Sequence, residues 1–291
     1  MKRALAFLVV LGVGACGKGE RRAIDHERSR GVFDEIKLDA PPGMSGLAMD
    51  DQSVLWGIPE RDRFLVEIRV DKDKALTRRY PLRGVPDGVD TEGLAWLSHD
   101  KFAVTTEGAH APSASILYVE RQGDAFVVTR TRTLTSAELG VELTANHGAE
   151  GACGHGDDVL VALEAVGTLP DGARYAPIAW LRGDALTIYK VRLTSKTGKL
   201  SSIDCSIDLV GVAHVWAIER HYGICRILRF DIAPTTSEIV PTIDLDLSAI
   251  INDALNLEGI VALPDGRLVL INDNQGTRQD GPNELLMVHP R

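Results

Sequence analysis

Carboxylate side chains recur at two positions of a repeated sequence pattern. Five segments share the pattern, with an acid or a serine first and a second acid fourteen or fifteen residues later. The two positions hold Ser45, Glu92, Glu150, Asp204 and Glu258, and then Glu60, Glu107, Glu164, Glu219 and Asp273. Carboxylates that lie close together raise one another's pKa and destabilise a fold unless a cation compensates them. A hard cation with oxygen ligands, Ca²⁺ above all, is what such a group predicts.

Strand geometry predicts that both acidic positions meet at one end of the molecule. Each acid pair flanks two apolar runs joined by a turn, and antiparallel neighbours place the start of one strand beside the end of the next. The predicted ligands of Ca²⁺ are Glu92, Glu150 and Glu258, with Glu107, Glu164, Glu219 and Asp273 as neighbours. An alternative stays open, in which the acids only bridge neighbouring repeats through backbone N–H groups and hold no ion.

Basic and amide side chains are expected on loops at the same end. The longest of these loops is predicted in the third repeat, over residues 165–184. Long loops on a rigid scaffold often carry function, so these residues are candidates for holding an anionic ester ligand. The substrate-binding candidates are Arg174, Arg220, His221, Arg278 and Asn274.

The repeat itself predicts an all-β fold. The segments begin 47, 58, 54 and 54 residues apart, and each is followed by short apolar runs between turn residues. In the third repeat, the third strand is predicted at residues 186–193 and the fourth around Lys199. Twenty strands in five blades of a β-propeller account for the chain, with six blades as the alternative. A strand at residues 32–38 is predicted to pair beside residues 285–288 and close the ring.

The N-terminus predicts export and lipid anchoring. Residues 1–15 read as a signal peptide, in which Lys2 and Arg3 precede an apolar stretch too short to span a bilayer. The sequence from Val13 to Cys16 resembles a lipobox, so Cys16 is the predicted lipidation site. Residues 16–30 form the predicted tether and residues 31–291 a single domain. Gly17 favours the outer membrane of the cell envelope. The alternative is an ordinary secretory peptide.

The charge and cysteine content of the sequence limit the classes of binding partner and the disulfides that can be expected. The formal net charge of −9 argues against nucleic acid, so the predicted partners are a membrane, through the anchor only, and a small-molecule ligand. Three cysteines lie in the predicted domain, at Cys153, Cys205 and Cys225, without a CxxC pair. An oxidising compartment permits one disulfide among them, and buried thiols are equally compatible with the sequence.

Two motifs resemble the esterase-like phytase family of bacterial β-propellers. They are the heptapeptide from Asp90 to Trp96 and the segment over residues 256–274. The resemblance implies a secreted or anchored propeller that binds calcium and hydrolyses phosphate or carboxylic esters. The residues of this sequence that match the motif positions of the family, and to which the resemblance assigns its site, are Glu92, Glu258, Asp273 and Asn274.

The motifs of nucleophilic hydrolysis are absent from the sequence. It has no GxSxG elbow, HExxH helix or P-loop. Hydrolysis would therefore depend on an ion that polarises the ester and activates water. The expected function is a calcium-binding module or scaffold on the cell envelope. The alternative is a metal-dependent ester hydrolase, and sugar-lactone hydrolysis is a third hypothesis.

Overall fold

A computed structural model describes residues 24–221, 223–251, 255–274 and 284–289. The fold is all-β, as the repeat predicts, with one short helix, α1 (Ser136–Leu139), among these residues. No helix in the described ranges is long and apolar enough to cross a membrane. The segments containing Cys16 and Arg278 lie outside the described residues, so those two predictions remain predictions.

The strands form five antiparallel units of four. The first strand of the chain, β1 (Phe33–Leu38), belongs with the last three strands, and the units are numbered in chain order. Unit 1 comprises β2 (Met44–Met49), β3 (Leu55–Pro59), β4 (Phe64–Asp71) and β5 (Lys74–Arg83). Unit 2 comprises β6 (Val89–Ser98), β7 (Lys101–Gly108), β8 (Ala114–Gln122) and β9 (Ala125–Leu134).

The remaining units follow the same meander. Unit 3 comprises β10 (Ala149–His155), β11 (Asp158–Leu163), β13 (Arg174–Arg182) and β14 (Ala185–Arg192), with a short β12 (Gly167–Thr168) beside β13. Unit 4 comprises β15 (Lys199–Ile207), β16 (Ala213–His221), β17 (Ile224–Ile232) and β19 (Thr242–Asp246), with β18 (Glu238–Ile239) crossing to pair with β14. Unit 5 comprises β20 (Asn256–Ala262), β21 (Leu268–Asp273), β22 (Glu284–Val288) and β1.

Burial explains the order of strands within a unit. First and second strands such as β2 and β11 are short apolar runs that are buried on both faces. Outer strands such as β5 alternate buried and exposed residues, which is the pattern of a sheet with one face in solvent. The chain therefore places its most apolar strands innermost and its amphipathic strands outside.

Hydrophobic packing joins the units in a cyclic order. Five clusters of buried apolar side chains lie between units 1 and 2, 2 and 3, 3 and 4, 4 and 5, and 5 and 1. The first strands contact one another in the same order, β2, β6, β10, β15, β20 and again β2. We call the space that these strands surround the channel. Four-stranded sheets packed face to face in this way have a β-propeller-type arrangement.

The predicted strands of the third repeat require correction. Residues 174–182 were expected within a long loop, but they form β13, and the strand predicted third at residues 186–193 is the fourth strand, β14. The apolar run of β13 is almost wholly buried, and Trp180 is 1% exposed. Lys199, predicted near a fourth strand, begins the first strand of unit 4. A buried strand is favoured here because its apolar side chains fill the core between units 3 and 4.

The register of unit 4 also differs from the prediction. In every unit, the pairing of first and second strands is interrupted by a bulge, and the bulged residues align the repeats. The aligned residues are Ser45, Glu92, Glu150, Ser201 and Glu258. Asp204 therefore lies three residues beyond the position that it was predicted to occupy. The misalignment arises because unit 4 has serine in place of the acid.

Two of the three domain cysteines are bonded. Cys153 of β10 and Cys205 of β15 form a disulfide with a Cα–Cα distance of 5.7 Å, which links units 3 and 4. Cys225 is a buried free thiol, and burial raises its pKa to about 12. Of the alternatives that the sequence left open, the structure has one bridge and one inert thiol.

Candidate metal centre at the acid mouth

Acidic side chains gather at the end of the channel where the first strands begin, which we call the acid mouth. Its first column consists of the aligned bulge residues of the first strands. Its second column lies on the facing second strands. In each unit, the first-strand residue just before the bulge pairs with a residue of the second strand, and the next residue of that second strand belongs to the second column. The second column comprises Glu60, Glu107, Glu164, Arg220 and Asp273. Seven carboxylates and one guanidinium therefore surround this end.

Close approach of the first strands brings the acids of successive units together. A Cβ atom on Gly46 would lie 2.6 Å from the carbonyl oxygen of Glu92, and one on Gly93 would overlap with the carbonyl oxygen of Glu150. Only glycine permits this spacing at the two positions. The Glu-Gly motif thus supplies a carboxylate and the room for the next strand.

Three carboxylates form a group with the spacing of cation ligands. One carboxylate oxygen each from Glu107, Glu150 and Glu164 lies within 4.8 Å of the others, and we call this group the carboxylate triad. The amide N–H of Gly148 donates to Glu107 Oε2 at 2.9 Å, and Lys199 Nζ donates to Glu164 Oε1 at 2.8 Å. Glu164 Oε2 is buried without a hydrogen-bond partner in the described part of the chain.

Burial and repulsion between carboxylates raise the pKa of two acids of the triad, Glu107 and Glu150. Burial raises the pKa of Glu107 to about 7, opposed by the N–H of Gly148 and assisted by the charge of Glu164. The pKa of Glu150 is raised well above its usual value by burial and then by the charges of Glu92 and Glu164. Because the triad has little compensating charge, its ionised form is disfavoured without a cation.

Glu92 lies beside the triad on β6. Its Oε2 accepts a hydrogen bond from the Ser45 hydroxyl at 2.7 Å, which joins units 1 and 2. Burial raises the pKa of Glu92 well above its usual value, and the charges of Glu258 and Glu107 add to that shift. Glu92 therefore connects the triad electrostatically to the opposite side of the mouth.

On the opposite side of the mouth, a positively charged side chain, Arg220, lies beside the acids. The guanidinium of Arg220 donates to Glu258 Oε1 and to the carbonyl oxygen of Leu257, the latter at 3.0 Å. Asn256 Nδ2 donates to Glu258 Oε1 at 2.6 Å and to Asp273 Oδ2 at 3.3 Å. Burial raises the pKa of Glu258 to about 8, although Arg220 opposes the shift. Glu258 is thus committed to groups of the chain.

Glu60 completes the second column at the rim. Its Oε1 accepts a hydrogen bond from Arg61 Nη2 at 2.9 Å. Burial and then the charge of Asp273 raise the pKa of Glu60, while Arg61 lowers it. The Arg61 side chain is 65% exposed, so it places a mobile positive charge where the mouth meets solvent.

Glu219, a predicted neighbour of the ion, and Asp204, a predicted member of the first acidic position, lie elsewhere. Glu219 is fully buried, but its carboxylate accepts hydrogen bonds from the N–H and hydroxyl groups of Thr194 and Ser195, at 2.5 to 3.0 Å. Glu219 precedes Arg220, and successive strand residues point to opposite faces. Asp204 lies toward the opposite end of the channel. These corrections follow from the register of unit 4.

The predicted ligand-binding residues separate in the structure. Arg220 lies in the mouth, whereas Arg174 at the start of β13 donates to the carbonyl oxygen of Ser195 at 3.3 Å. Asn274 follows β21 at the acid end, where its Oδ1 accepts from the N–H of Gly43 at 2.8 Å. His221 ends β16 beside Arg220.

Sequence reasoning did not assign Lys199 and Asn256 to the site. Both stand two residues before the aligned first-column residue of their unit, and both donate to acids of the mouth. The same position is Asp90 in unit 2 and Gly148 in unit 3. A correct alignment of the fourth repeat would have revealed this third column.

The family comparison matches most of the chain. Residues 41–276 match the phytase-like family model, described as esterase-like activity of phytase. The chain belongs to this family. A comparison with curated proteins finds no match.

Solved structures similar to this phytase-like chain share little sequence with it. The apo form of the soluble aldose sugar dehydrogenase from Escherichia coli has a TM-score of 0.49 and 12% identity, covering 89% of this chain and 100% of that chain. The PQQ-bound aldose sugar dehydrogenase from Streptomyces coelicolor has a TM-score of 0.46 and 12% identity, covering 89% and 99%. Regucalcin, a calcium-binding protein from Agrobacterium tumefaciens, has a TM-score of 0.46 and 13% identity, covering 89% and 96%.

The donor set of this phytase-like chain fits a hard divalent cation. The triad offers carboxylate oxygens, which Ca²⁺ prefers, and one of them, Glu164 Oε2, is buried and accepts no hydrogen bond from the described residues. Soft thiolate ligands are not in the triad. The basic groups beside the triad in the described residues are the Lys199 amine and the imidazole of His147, whose Nε2 lies 3.7 Å from Glu164 Oε2. These described basic groups do not compensate all the negative charge of the three carboxylates, so an added cation is electrostatically favourable.

Proposed function

We propose that the chain is a five-bladed β-propeller whose acid mouth binds Ca²⁺ and hydrolyses an anionic ester. Support for five blades comes from the five four-stranded units and from the five apolar clusters that join them in cyclic order. Support for closure by the N-terminal strand comes from the antiparallel pairing of β1 with β22. Pairing the two chain ends in one blade would leave the last blade without an open edge.

The carboxylate triad is the observation that carries the functional proposal. Two buried acids and one half-buried acid each place a carboxylate oxygen within 4.8 Å of the others, and burial raises the pKa of Glu107 to about 7. A cation there would offset the repulsion that the fold otherwise has to bear. Hydrolysis of an ester is the activity that the family's description names, which supports an ester as the substrate that we propose for this mouth.

The residues of the mouth suit the hydrolysis of a phosphate ester. A bound divalent cation would polarise the ester and lower the pKa of a coordinated water. Lys199 and His147 border the triad and can orient an anionic group of the substrate. Glu107, whose pKa burial raises to about 7 without a cation, would be ionised when it holds the cation. Arg61 at the rim can attract the anionic substrate to the mouth.

Turnover of chromogenic esters tests the proposal. Purified protein is assayed with p-nitrophenyl phosphate and p-nitrophenyl acetate, in Ca²⁺ and in EDTA. We expect Ca²⁺-dependent hydrolysis of the phosphate ester and at least about a hundredfold loss in Glu150→Gln, because a ligand of the cation is removed. The control is Glu219→Gln, a buried carboxylate outside the triad, which should keep the activity. Equal turnover in EDTA would contradict the proposal.

A calcium-stabilised binding module is the second candidate. Acids of the mouth connect neighbouring units, since Glu107 of unit 2 accepts from Gly148 before unit 3 and Glu92 of unit 2 accepts from Ser45 of unit 1. Such bridges support a structural role for the acids. This candidate predicts that Ca²⁺ raises the melting temperature while no ester is hydrolysed. The same protein sample, melted and assayed in parallel, distinguishes the two functions.

We also propose that the domain is held at the cell envelope by lipidated Cys16, on the outer membrane. The support is the lipobox-like sequence from Val13 to Cys16 and the following Gly17. Two acyl chains are the kind of signal that gives stable anchoring. Cys16→Ala should release the protein into the soluble fraction, and mass spectrometry of the wild-type protein should show the acyl chains. Membrane retention of Cys16→Ala would contradict this proposal.

A further inference from the structure

A second cavity lies at the end of the channel opposite the acid mouth. It has a volume of about 360 Å³ and is formed by the last residues of the five first strands. Each unit contributes to its wall, through Met49, Trp96, Cys153, Asp204 and Ala262 among others. We call it the lower pocket. Its volume is within the range of small-molecule sites.

Asp204 is the unusual residue of the lower pocket. The aligned positions in the other units are Ala48, Ala95, Cys153 and Val261, all apolar or bonded in the disulfide. Only unit 4 therefore places a carboxylate in this layer of the channel. A charged side chain among apolar neighbours is costly to bury unless it is paired.

The carboxylate of Asp204 accepts hydrogen bonds and has no counter-ion among the residues that the structure describes. Its Oδ2 accepts a hydrogen bond from the N–H of Ala262 at 2.7 Å, which joins units 4 and 5. The residues that line the pocket include no lysine or arginine, and in the described part of the chain no ion pair involves Asp204. Burial raises the pKa of Asp204 to about 6, so the group is still largely ionised at neutral pH. The pocket thus contains one uncompensated negative charge.

The wall of the pocket is rigid and partly aromatic. The disulfide between Cys153 and Cys205 fixes two of the lining strands, and Cys205 directly follows Asp204. The indole of Trp96 packs against the imidazole of His155 with ring centroids 5.5 Å apart. A preformed wall reduces the ordering cost of binding, and an indole face attracts cations.

We infer that the lower pocket binds a small organic cation, an amine with an apolar or aromatic body. Its ammonium group pairs with Asp204, and its apolar body contacts the alanine, leucine and tryptophan side chains of the wall. This site differs from the acid mouth in ligand chemistry, because one carboxylate in an apolar wall suits an amine better than a hard metal ion. The inference does not depend on whether the acid mouth is catalytic.

Binding of benzylamine, compared with its neutral analogue benzyl alcohol, tests the site. The titrations are followed by calorimetry at pH 7.5 in saturating Ca²⁺, so that the acid mouth is not available to the amine. We expect benzylamine to bind more tightly than benzyl alcohol. Asp204→Asn should weaken benzylamine about tenfold and leave benzyl alcohol unchanged, since the amide oxygen still accepts from Ala262. Asp208→Asn, an exposed acid on the adjacent turn, is the matched control.

A second variant keeps the test decisive if Asp204→Asn fails to fold. Ser206 is exposed at the rim of the pocket, and Ser206→Trp should obstruct entry without changing Asp204. Loss of both ligands in Ser206→Trp, with the same melting temperature as the wild type, supports the inference. Equal affinity for the amine and the alcohol would overturn it. Binding that disappears in Glu150→Gln would also overturn it, because the amine would then be in the acid mouth.

Discussion

The two sides of the acid mouth compensate buried negative charge in different ways. On the side of units 4 and 5, the guanidinium of Arg220 and the amide of Asn256 bind Glu258 directly. On the side of units 2 and 3, the carboxylate triad has the Lys199 amine on one acid and a backbone N–H on another. On the first side, groups of the chain compensate the charge of Glu258. On the second side, the Glu164 Oε2 oxygen accepts no hydrogen bond from the described residues.

The difference begins with unit 4, where two aligned positions have changed residue type. Ser201 replaces the first-column acid, and its hydroxyl donates to the carbonyl oxygen of Leu257 at 2.9 Å. Arg220 replaces the second-column acid. These two substitutions remove two negative charges and add one positive charge relative to a five-fold acidic ring. Residue changes in one repeat can therefore compensate the buried charge on one side of a site, while the acids on the other side can still bind a cation.

Removal of Arg220 should have the largest effect on stability. Arg220→Met leaves Glu258 buried beside Asp273 without its cation, and breaking a buried pair costs about 2–3 kcal/mol once partial exposure of the arginine is allowed for. Urea unfolding in EDTA at about pH 9, above the Glu258 pKa of about 8, measures the loss. Arg226→Met is the control, because its partner Asp246 is 44% exposed. The double variant with Glu258→Gln should regain most of the stability, and a double variant as unstable as Arg220→Met would contradict this pairing.

Calcium should stabilise the folded protein through the triad and not through Glu258. At a concentration about 100 times Kd, a cation that binds only the folded state adds about 2.7 kcal/mol. We expect the melting temperature to rise with Ca²⁺ in the wild type and in Glu258→Gln, and to respond little in Glu164→Gln. Differential scanning calorimetry with and without EDTA measures the shift. A lost response in Glu258→Gln with an intact response in Glu164→Gln would reverse the assignment of the two sides.

The metal-free protein should become more stable as the pH falls from about 8 to about 5. The folded-state pKa is about 7 for Glu107 and about 8 for Glu258, above the usual value of 4.5. For acids with a raised pKa, stability is greatest below the unfolded value and is lost as the pH rises through the folded value. The expected change is about 2 kcal/mol across this window. Urea unfolding in EDTA at several pH values measures it, and saturating Ca²⁺ should flatten the dependence. A flat metal-free profile would indicate that the acids are compensated by other means.

The sequence predicted the repeated units well because their strands are short apolar runs between turns. Pairing of β1 with β22 follows the prediction for those segments, since β1 alternates buried and exposed residues as an outer strand does and β22 is an apolar, almost wholly buried strand. The triad residues Glu107, Glu150 and Glu164 come from units in which the Glu-Gly motif or the apolar second strand fixes the register. In these units, composition and backbone geometry point to the same alignment.

The fourth unit was misaligned because its site residues differ in chemical type. Ser201 and Ser202 stand where units 2, 3 and 5 have an acid and a glycine, so Asp204 was the nearest acid to the expected position. A shift in register exchanges the residues that face the channel, and it replaced Arg220 by Glu219 in the predicted site. The bulge opposite Glu219 sets the true register, and it depends on contacts between strands that the local sequence does not encode. The basic residue of the site was therefore assigned to a loop.

Lys199 should compete with the cation for Glu164, and its removal provides the smallest and most specific test of the two-sided mouth. The Lys199 amine is 2.8 Å from Glu164 Oε1, and its side chain is 19% exposed. In Lys199→Met, Glu164 loses the amine that donates to its Oε1, so the metal-free protein should lose about 1 kcal/mol. The affinity for Ca²⁺ should rise about threefold to tenfold, because the cation no longer has to share the carboxylate. Calorimetric titration measures the affinity, and Lys190→Met, a lysine of the outer strand β14, serves as the control. Unchanged or weaker calcium binding in Lys199→Met would mean that the cation does not bind at Glu164, and the triad would then be a structural bridge between units 2, 3 and 4.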